Sequence, residues 1–370
     1  MLIKTKDFQE VCKTILLAVD NNAANLELLV KDKNLYLNVT NREYFTSIKF
    51  SLENPEEFHA VVDAALFLNL ISGITTETFE LKTKDNTVVV KADKSNYKLA
   101  MIYENDHLMN LPPIIIENKT VEMGISVDIL NSIINVNSKE LLKIKSIDAT
   151  EIQKLYYITE EGCFTFTSGA CLNSFKLDKP VKILLNDRIV KLFKLFKSDV
   201  KFSLGHDALA NGVIQTKIVL ETENIYLAAI ITNDEILLNR IQGPCTATKK
   251  YIDEKYTNRL VVSVNALSAA IARLMLFAKN SLSRLNMLLI KAKVKISGTE
   301  LTITDGLGNT ESVVIENGSY VDSDYEMTIN ISDIKLVLDS CKDEHITINC
   351  GNHKSVVLTR GNISNLIPEE

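Results

Sequence analysis

One pattern recurs six times along this chain: a short apolar strand runs into an Asp or Asn, and an amphipathic helix follows. The six polar residues are Asp7, Asp63, Asp128, Asn186, Asn265 and Asn330. Each is suited to capping a helix N-terminus, because its side-chain oxygen can accept an N–H that the first helical turn leaves unpaired. The helices this predicts cover residues 8–19, 64–71, 129–134, 187–196, 266–278 and 331–341. The caps fall into pairs separated by 56, 58 and 65 residues, and the pairs begin 121 and then 137 residues apart. Two strand–helix units therefore make one domain, and the chain holds three such domains in tandem.

A strand–turn–strand stretch with alternating apolar residues follows the second helix of each pair. Phe79–Thr83 turns at Lys84-Asp85-Asn86 into Val88–Val90, and Ile346–Asn349 turns at Gly351-Asn352 into Val356–Leu358. The middle copy, Val200 to Ile230, is longer and contains Gly205 and Gly212. Each domain is then α+β, with helices on one side of antiparallel sheet. The paired prolines Pro112-Pro113 mark the first boundary, and the polar stretch Gly243 to Asn258 marks the second. The expected domains are residues 1–117, 118–250 and 251–370.

Composition narrows the function. A net charge of −6 argues against a protein that coats nucleic acid with its whole surface, though not against a local basic face. Cys12, Cys163, Cys171, Cys245, Cys341 and Cys350 form no C-x-x-C pair and have no His partners at zinc spacing, so no metal or other cofactor is called for. Reduced, mostly buried thiols in a cytoplasmic protein are expected. No apolar run reaches the ~18 residues of a membrane span, and Met1 to Asp7 lacks a signal-peptide core, so no membrane association is expected. His59, His107, His206, His345 and His353 enter no triad or ligand pattern, and Gly205 and Gly212 form no phosphate-binding loop. No constellation for catalysis is present in the sequence, and an enzyme is not expected.

Several stretches carry a resemblance to one family. Val61-Val62-Asp63-Ala64-Ala65-Leu66-Phe67 resembles the strand-to-second-helix segment of the bacterial sliding clamp, the DNA polymerase III beta subunit. Tyr97-Lys98-Leu99 followed by Leu108-Met109-Asn110-Leu111 is similar to the end of that family's first domain, where Phe-Pro-x-Leu is usual. Thr167-Ser168-Gly169-Ala170-Cys171-Leu172 looks like its Thr-Asp-Gly-His-Arg-Leu, with Ser168, Ala170 and Cys171 replacing Asp, His and Arg. Thr328-Ile329-Asn330-Ile331 looks like the start of its last helix, with Asp333 in place of the usual Tyr. The end, Leu366-Ile367-Pro368-Glu369-Glu370, keeps the Pro but is acidic. These departures mark a divergent member.

The resemblance implies a DNA polymerase processivity factor without a catalytic centre. It implies helices inside and sheets outside, a head-to-tail ring of two subunits, and duplex DNA held without regard to sequence. Basic residues on inward helices would face that DNA: Lys13, Lys139, Lys143, Arg188, Lys191, Lys194, Lys197, Arg273, Lys279, Lys335 and Lys342. On residues 187–197, Ile189, Leu192, Phe193 and Phe196 fall on one face and the four cations on the other; an ordinary solvated helix gives the same pattern. A pocket for short peptides of the replicative polymerase and clamp loader is implied at Ile152, Thr167, Gly169, Leu172, Leu237, Leu282, Asn330, Val356, Ile367 and Pro368. Any of the apolar ones equally suits a core position. The homodimer joint is implied at Tyr97 and Leu99 of one subunit and Leu276 and Phe277 of the next. Three repeats in one chain favour a dimer over a trimer. The competing reading is a protein-interaction scaffold on the same fold that encircles no DNA.

Overall fold

The computed structural model describes residues 1–21, 23–138, 151–167, 169–209, 212–231, 235–281 and 291–369, with 278–281 as backbone alone. The described α-helices are α1 (Thr5–Ile15), α2 (Ala64–Ser72), α3 (Val127–Ser132), α4 (Asp187–Leu192), α5 (Glu235–Ile252), α6 (Val264–Ser281) and α7 (Ile331–Ser340). All but α5 follow a strand directly or within two residues, as the sixfold pattern predicts: Leu2–Lys4, His59–Asp63, Lys119–Ile125, Lys182–Asn186, Asn258–Ser263 and Tyr325–Asn330.

The caps are more varied than the sequence suggests. Asp63 accepts the Leu66 amide at 2.7 Å and Asn330 accepts the Ser332 amide at 3.0 Å, as expected. Asn186 ends the strand before α4. The other three helices start early. Ser126 and Ser263 accept the amides of Ile129 and Ala266, each at 3.4 Å, where Asp128 and Asn265 were expected to cap. Asp7 lies inside the first turn of α1, where its charge faces the positive end of the helix dipole. Serine reaches the same N–H as Asp or Asn, so one apolar–polar boundary allows either register.

Two further expectations change. Residues 187–196 are not one α-helix: α4 ends at Leu192, and a 3₁₀ turn, Phe193–Leu195, follows. The polar stretch from Gly243 is not a linker between strands, because α5 runs from Glu235 through Pro244 to Ile252.

The chain forms two compact units. The first holds residues 1–131 and 188–232. Its eight-stranded antiparallel sheet places Ile225–Ile231 beside Tyr44–Ser51, and its four-stranded sheet ends at Ser95–Ala100. The hairpin Thr78–Lys84 to Thr87–Ala92 turns at Asp85 and Asn86, both with positive φ, as a two-residue turn between twisted strands requires. Phe8 of α1 fills the core under α2, with ring centroids 5.2 Å from Phe50, 6.4 Å from Phe67 and 5.7 Å from Phe79.

Asp207 pins the segment after the paired prolines within this unit. It is buried, accepts the amides of Glu117 and Asn118, and pairs with Lys217 at 2.8 Å; Lys217 also donates to the Ile115 carbonyl. Burial alone would raise the Asp207 carboxyl, but Lys217 and the two amides outweigh it and hold the group below the usual carboxylate range. A depressed folded pKa contributes stability above the unfolded value of about 4, which is lost as pH falls through the folded one. Asp207→Asn is therefore expected to cost roughly 2 kcal/mol at pH 7, since it leaves the half-buried Lys217 ammonium without its counter-charge. Urea melts of the two proteins should converge as pH drops below about 4; a gap unchanged down to pH 3 would refute the pairing.

The second unit holds residues 132–187 and 233–370. Its nine-stranded antiparallel sheet joins Ala170–Ser174 to Ile363–Pro368, and its four-stranded sheet ends at Thr310–Val314. α6 and α7 pack over one apolar core that includes Leu267, Ile271, Ile334 and Leu338.

Candidate DNA-facing and partner-binding surfaces

The predicted basic residues fall into distinct settings. Lys139 and Lys143 lie outside the described residues, as does the side chain of Lys279. Lys13 pairs with Glu10 at 2.6 Å, Lys335 with Asp339 at 2.6 Å, and Arg273 forms a two-point fork with Glu311 at 2.7 Å. Lys342 is exposed. Arg188 is not a free surface cation. It donates to Asp20, lies 3.8 Å from Glu43 and stands over the Tyr44 ring, 5.0 Å from its centroid. It ties α4 to the strand Tyr44–Ser51 and the turn before it. Lys191, Lys194 and Lys197 are exposed and three residues apart. Lys191 lies on α4, Lys194 in the 3₁₀ turn, and Lys197 just beyond it, after the backbone becomes extended at Phe196.

The predicted pocket residues divide between an apolar groove and a separate core. One face of the nine-stranded sheet presents Tyr157, Phe164, Phe166, Ala170 and Leu172. α5 lies on it, placing Ile241 and Cys245 in the buried cluster; Leu237, Leu238 and Ile252 pack beside them. Ile152, Leu172 and Leu237 thus come together here. Burial pushes the Cys245 thiol up to about 12.

The helix leaves a cleft on each side. The first, about 440 Å³, is lined by Gly169, Pro244, Tyr251, His353, Leu366 and Pro368, among others. The second, about 500 Å³, is lined by Phe164, Leu172, Phe175, Lys249 and Ile252, among others. Thr167 stands just past the end of the strand Gly162–Phe166, and its carbonyl accepts Gln153 Nε2 at 2.8 Å. Val356 and Ile367 instead lie in the core under α6 and α7, and Asn330 is the α7 cap. Leu282 lies outside the described residues.

The helix itself was missed. Leu237, Ile241, Cys245, Thr248 and Ile252 keep the three-to-four spacing of an amphipathic helix, a signal the Gly243-Pro244 pair obscured.

The predicted joint residues also separate. Leu276 and Phe277 are 62% and 51% exposed on α6, which packs against the edge strand Thr310–Val314, where Val314 is exposed too. Tyr97 is exposed on the edge strand Ser95–Ala100, but Leu99 is buried in the first unit's core. Both strands end their sheets, so each offers an outer edge with no strand on it among the described residues.

These elements define a clamp-type fold: strand–helix units in tandem, joined by antiparallel sheets that link segments distant in sequence. Residues 2–112 match the family model for the N-terminal domain of the DNA polymerase III beta subunit. Along its whole length the chain has the fold of the bacterial beta sliding clamps. A Pseudomonas aeruginosa DNA polymerase sliding clamp superposes with a TM-score of 0.78 at 14% identity, covering 100% of this chain and 99% of that one. The Streptococcus pyogenes beta subunit gives 0.78 at 15%, covering 100% and 99%. The Borrelia burgdorferi subunit gives 0.77 at 15%, covering 100% and 98%. No curated protein matches the chain in sequence. Among the described residues, no helix is long and apolar enough to cross a membrane.

Proposed function

We propose that this protein is a ring-shaped sliding clamp, which encircles duplex DNA as a homodimer of three-domain subunits and tethers a replicative polymerase. The observation that carries this reading is the clamp fold over the full length of the chain, with a matching N-terminal family model. The domains would be residues 1–117, 118–250 and 251–370. The two units cut across the middle one, because its strands join sheets with segments from either end of the chain. No step of this function needs a catalytic group, since a ring holds DNA by topology. The DNA-facing surface needs only weak attraction to phosphates. Lys191, Lys194 and Lys197 are the best placed to supply it.

Ring closure would pair the edge strand Ser95–Ala100 of one subunit with Thr310–Val314 of the next, twice, about a two-fold axis. Tyr97 would then meet Leu276, Phe277 and Val314. Light scattering on a sizing column should give twice the 41.4 kDa chain mass at micromolar concentration. Replacing both Leu276 and Phe277 with Asp should weaken the dimer at least ~100-fold, because each joint loses its apolar anchors. A wild-type monomer at that concentration would count against the ring. Retention on nicked circular DNA, with release on linearisation, separates encirclement from the scaffold alternative.

A further inference from the structure

The two clefts beside α5 differ in charge. Among the described residues, no Asp or Glu lines the smaller one, and its titratable groups are Tyr251, His353 and Lys354. The larger one has Glu160, Glu161 and Asp253 on its wall beside Lys176 and Lys249, and Lys249 is already paired with Glu161. In the smaller cleft His353 is committed too. Its Nε2 bonds Glu254 at 2.5 Å, and its ring stands edge-on to Tyr251 with centroids 5.0 Å apart. Lys354 is exposed and carries no ion pair among the described residues. Ser355, next to it, is 8% exposed, and its Oγ is buried with no hydrogen-bond partner among the described residues. An unpaired buried hydroxyl costs free energy that an acceptor from outside the chain would recover.

The sheet beneath the cleft fixes the spacing between its apolar and polar parts. Phe166 pairs with Ala170, and Ala170 with Leu366, so these three side chains form an apolar row across adjacent strands. Ser355 pairs with Pro368, two residues beyond Leu366 and therefore on the same face. One strand step of ~4.8 Å and two residues of ~3.3 Å each put Ser355 roughly 8 Å from Leu366. Two residues of an extended peptide span ~7 Å, and their side chains share a face.

We propose that the smaller cleft selects an acidic peptide. A carboxylate side chain pairs with Lys354 and accepts from Ser355 Oγ, whose one side-chain torsion turns the hydroxyl toward the cleft. An apolar side chain two residues away sits on Phe166, Ala170 and Leu366. The acid meets no carboxylate on this wall, whereas in the larger cleft it would face three. This rests on the reading of the groove as a partner site and adds the charge of the partner, with α5 remaining in place as a wall.

Four dye-labelled peptides with blocked ends provide the test. Asp-Ser-Leu-Ser-Leu and its reverse, Leu-Ser-Leu-Ser-Asp, cover both chain directions, and each has a counterpart with Asn in place of Asp. Binding to the full-length protein at low salt is followed by fluorescence anisotropy. In one direction the Asp peptide should bind roughly tenfold tighter than its Asn counterpart. Ser355→Ala should weaken the Asp peptide about fivefold while leaving thermal unfolding unchanged or raised, since it removes an unpaired hydroxyl and no bond. The double variant Lys354→Gln with Ser355→Ala should bind the Asp and Asn peptides equally. Equal binding of the two by the wild-type protein in both directions would overturn the acid preference and leave the apolar site standing. A preference that survives in the double variant, or a Ser355→Ala protein that unfolds more readily, would overturn the roles given to these residues. Failure of all four peptides to bind would overturn the partner-site reading itself. None of these measurements involves DNA, so failure of the ring reading in the retention assay is distinguishable from each of them.

Discussion

Gly169→Ala should unfold the second unit at markedly lower urea, with a loss of about 3 kcal/mol. A Cβ at this position would lie 2.0 Å from the Leu366 carbonyl oxygen and 3.3 Å from Pro368 Cδ. The nearest obstacle is backbone, so no rotamer change relieves it. The two strands must separate where Ala170 pairs with Leu366, which is also the wall of the smaller cleft. Overpacking costs roughly 1–3 kcal/mol, and each ladder hydrogen bond lost costs about 1 more. Gly243→Ala is the internal control, with the opposite sign. Nothing lies within 4 Å of its Cβ position, and it sits inside α5, so the change should stabilise that helix by up to ~1 kcal/mol. Urea melts followed by near-ultraviolet circular dichroism would resolve both. Equal stability of Gly169→Ala and wild type would mean that the two strands do not meet as closely as described.

Much of this architecture was legible because period and capping are local. The six strand-to-helix transitions, the hairpin turning at Asp85 and Asn86, and the long hairpin after Val200 all follow from patterns within a dozen residues. What was not legible depends on partners distant in the chain. Arg188 reads as a surface cation, since nothing within its helix reveals that Asp20, Glu43 and Tyr44 are waiting for it. Leu99 reads as an exposed strand residue, yet alternation fixes only which residues share a face and not which face is inward. Val356 and Leu172 both sit in apolar strands of one sheet. Only the helices laid against it decide that Val356 belongs under α6 and α7 while Leu172 lies beneath α5. α5 was lost for a different reason. Gly-Pro is a strong local breaker, and the sheet face beneath the helix outweighs it.

The distinction between Arg188 and the lysines after it leads to the second large effect. Lys194 and Lys197 are exposed and carry no ion pair among the described residues, so replacing both with Gln should change stability by no more than ~0.5 kcal/mol. Their expected effect falls on DNA. Each lysine that neutralises a phosphate contributes about 0.9 to the slope of log affinity against log salt, so four lysines in a two-subunit ring contribute roughly 3.6. The double variant should load onto nicked circular DNA, slide off linear DNA as before, and show that much shallower salt dependence. Arg188→Ala should do the reverse. It leaves Asp20 and Glu43 facing each other without their cation and uncovers the Tyr44 ring, costing about 2 kcal/mol of folding stability with the salt slope preserved. The two outcomes cannot be exchanged by a general loss of folding, because one variant is stable and altered in DNA binding while the other is the opposite. An unchanged slope in the lysine variant would remove this turn from the DNA-facing surface and leave the ring to hold DNA through other residues.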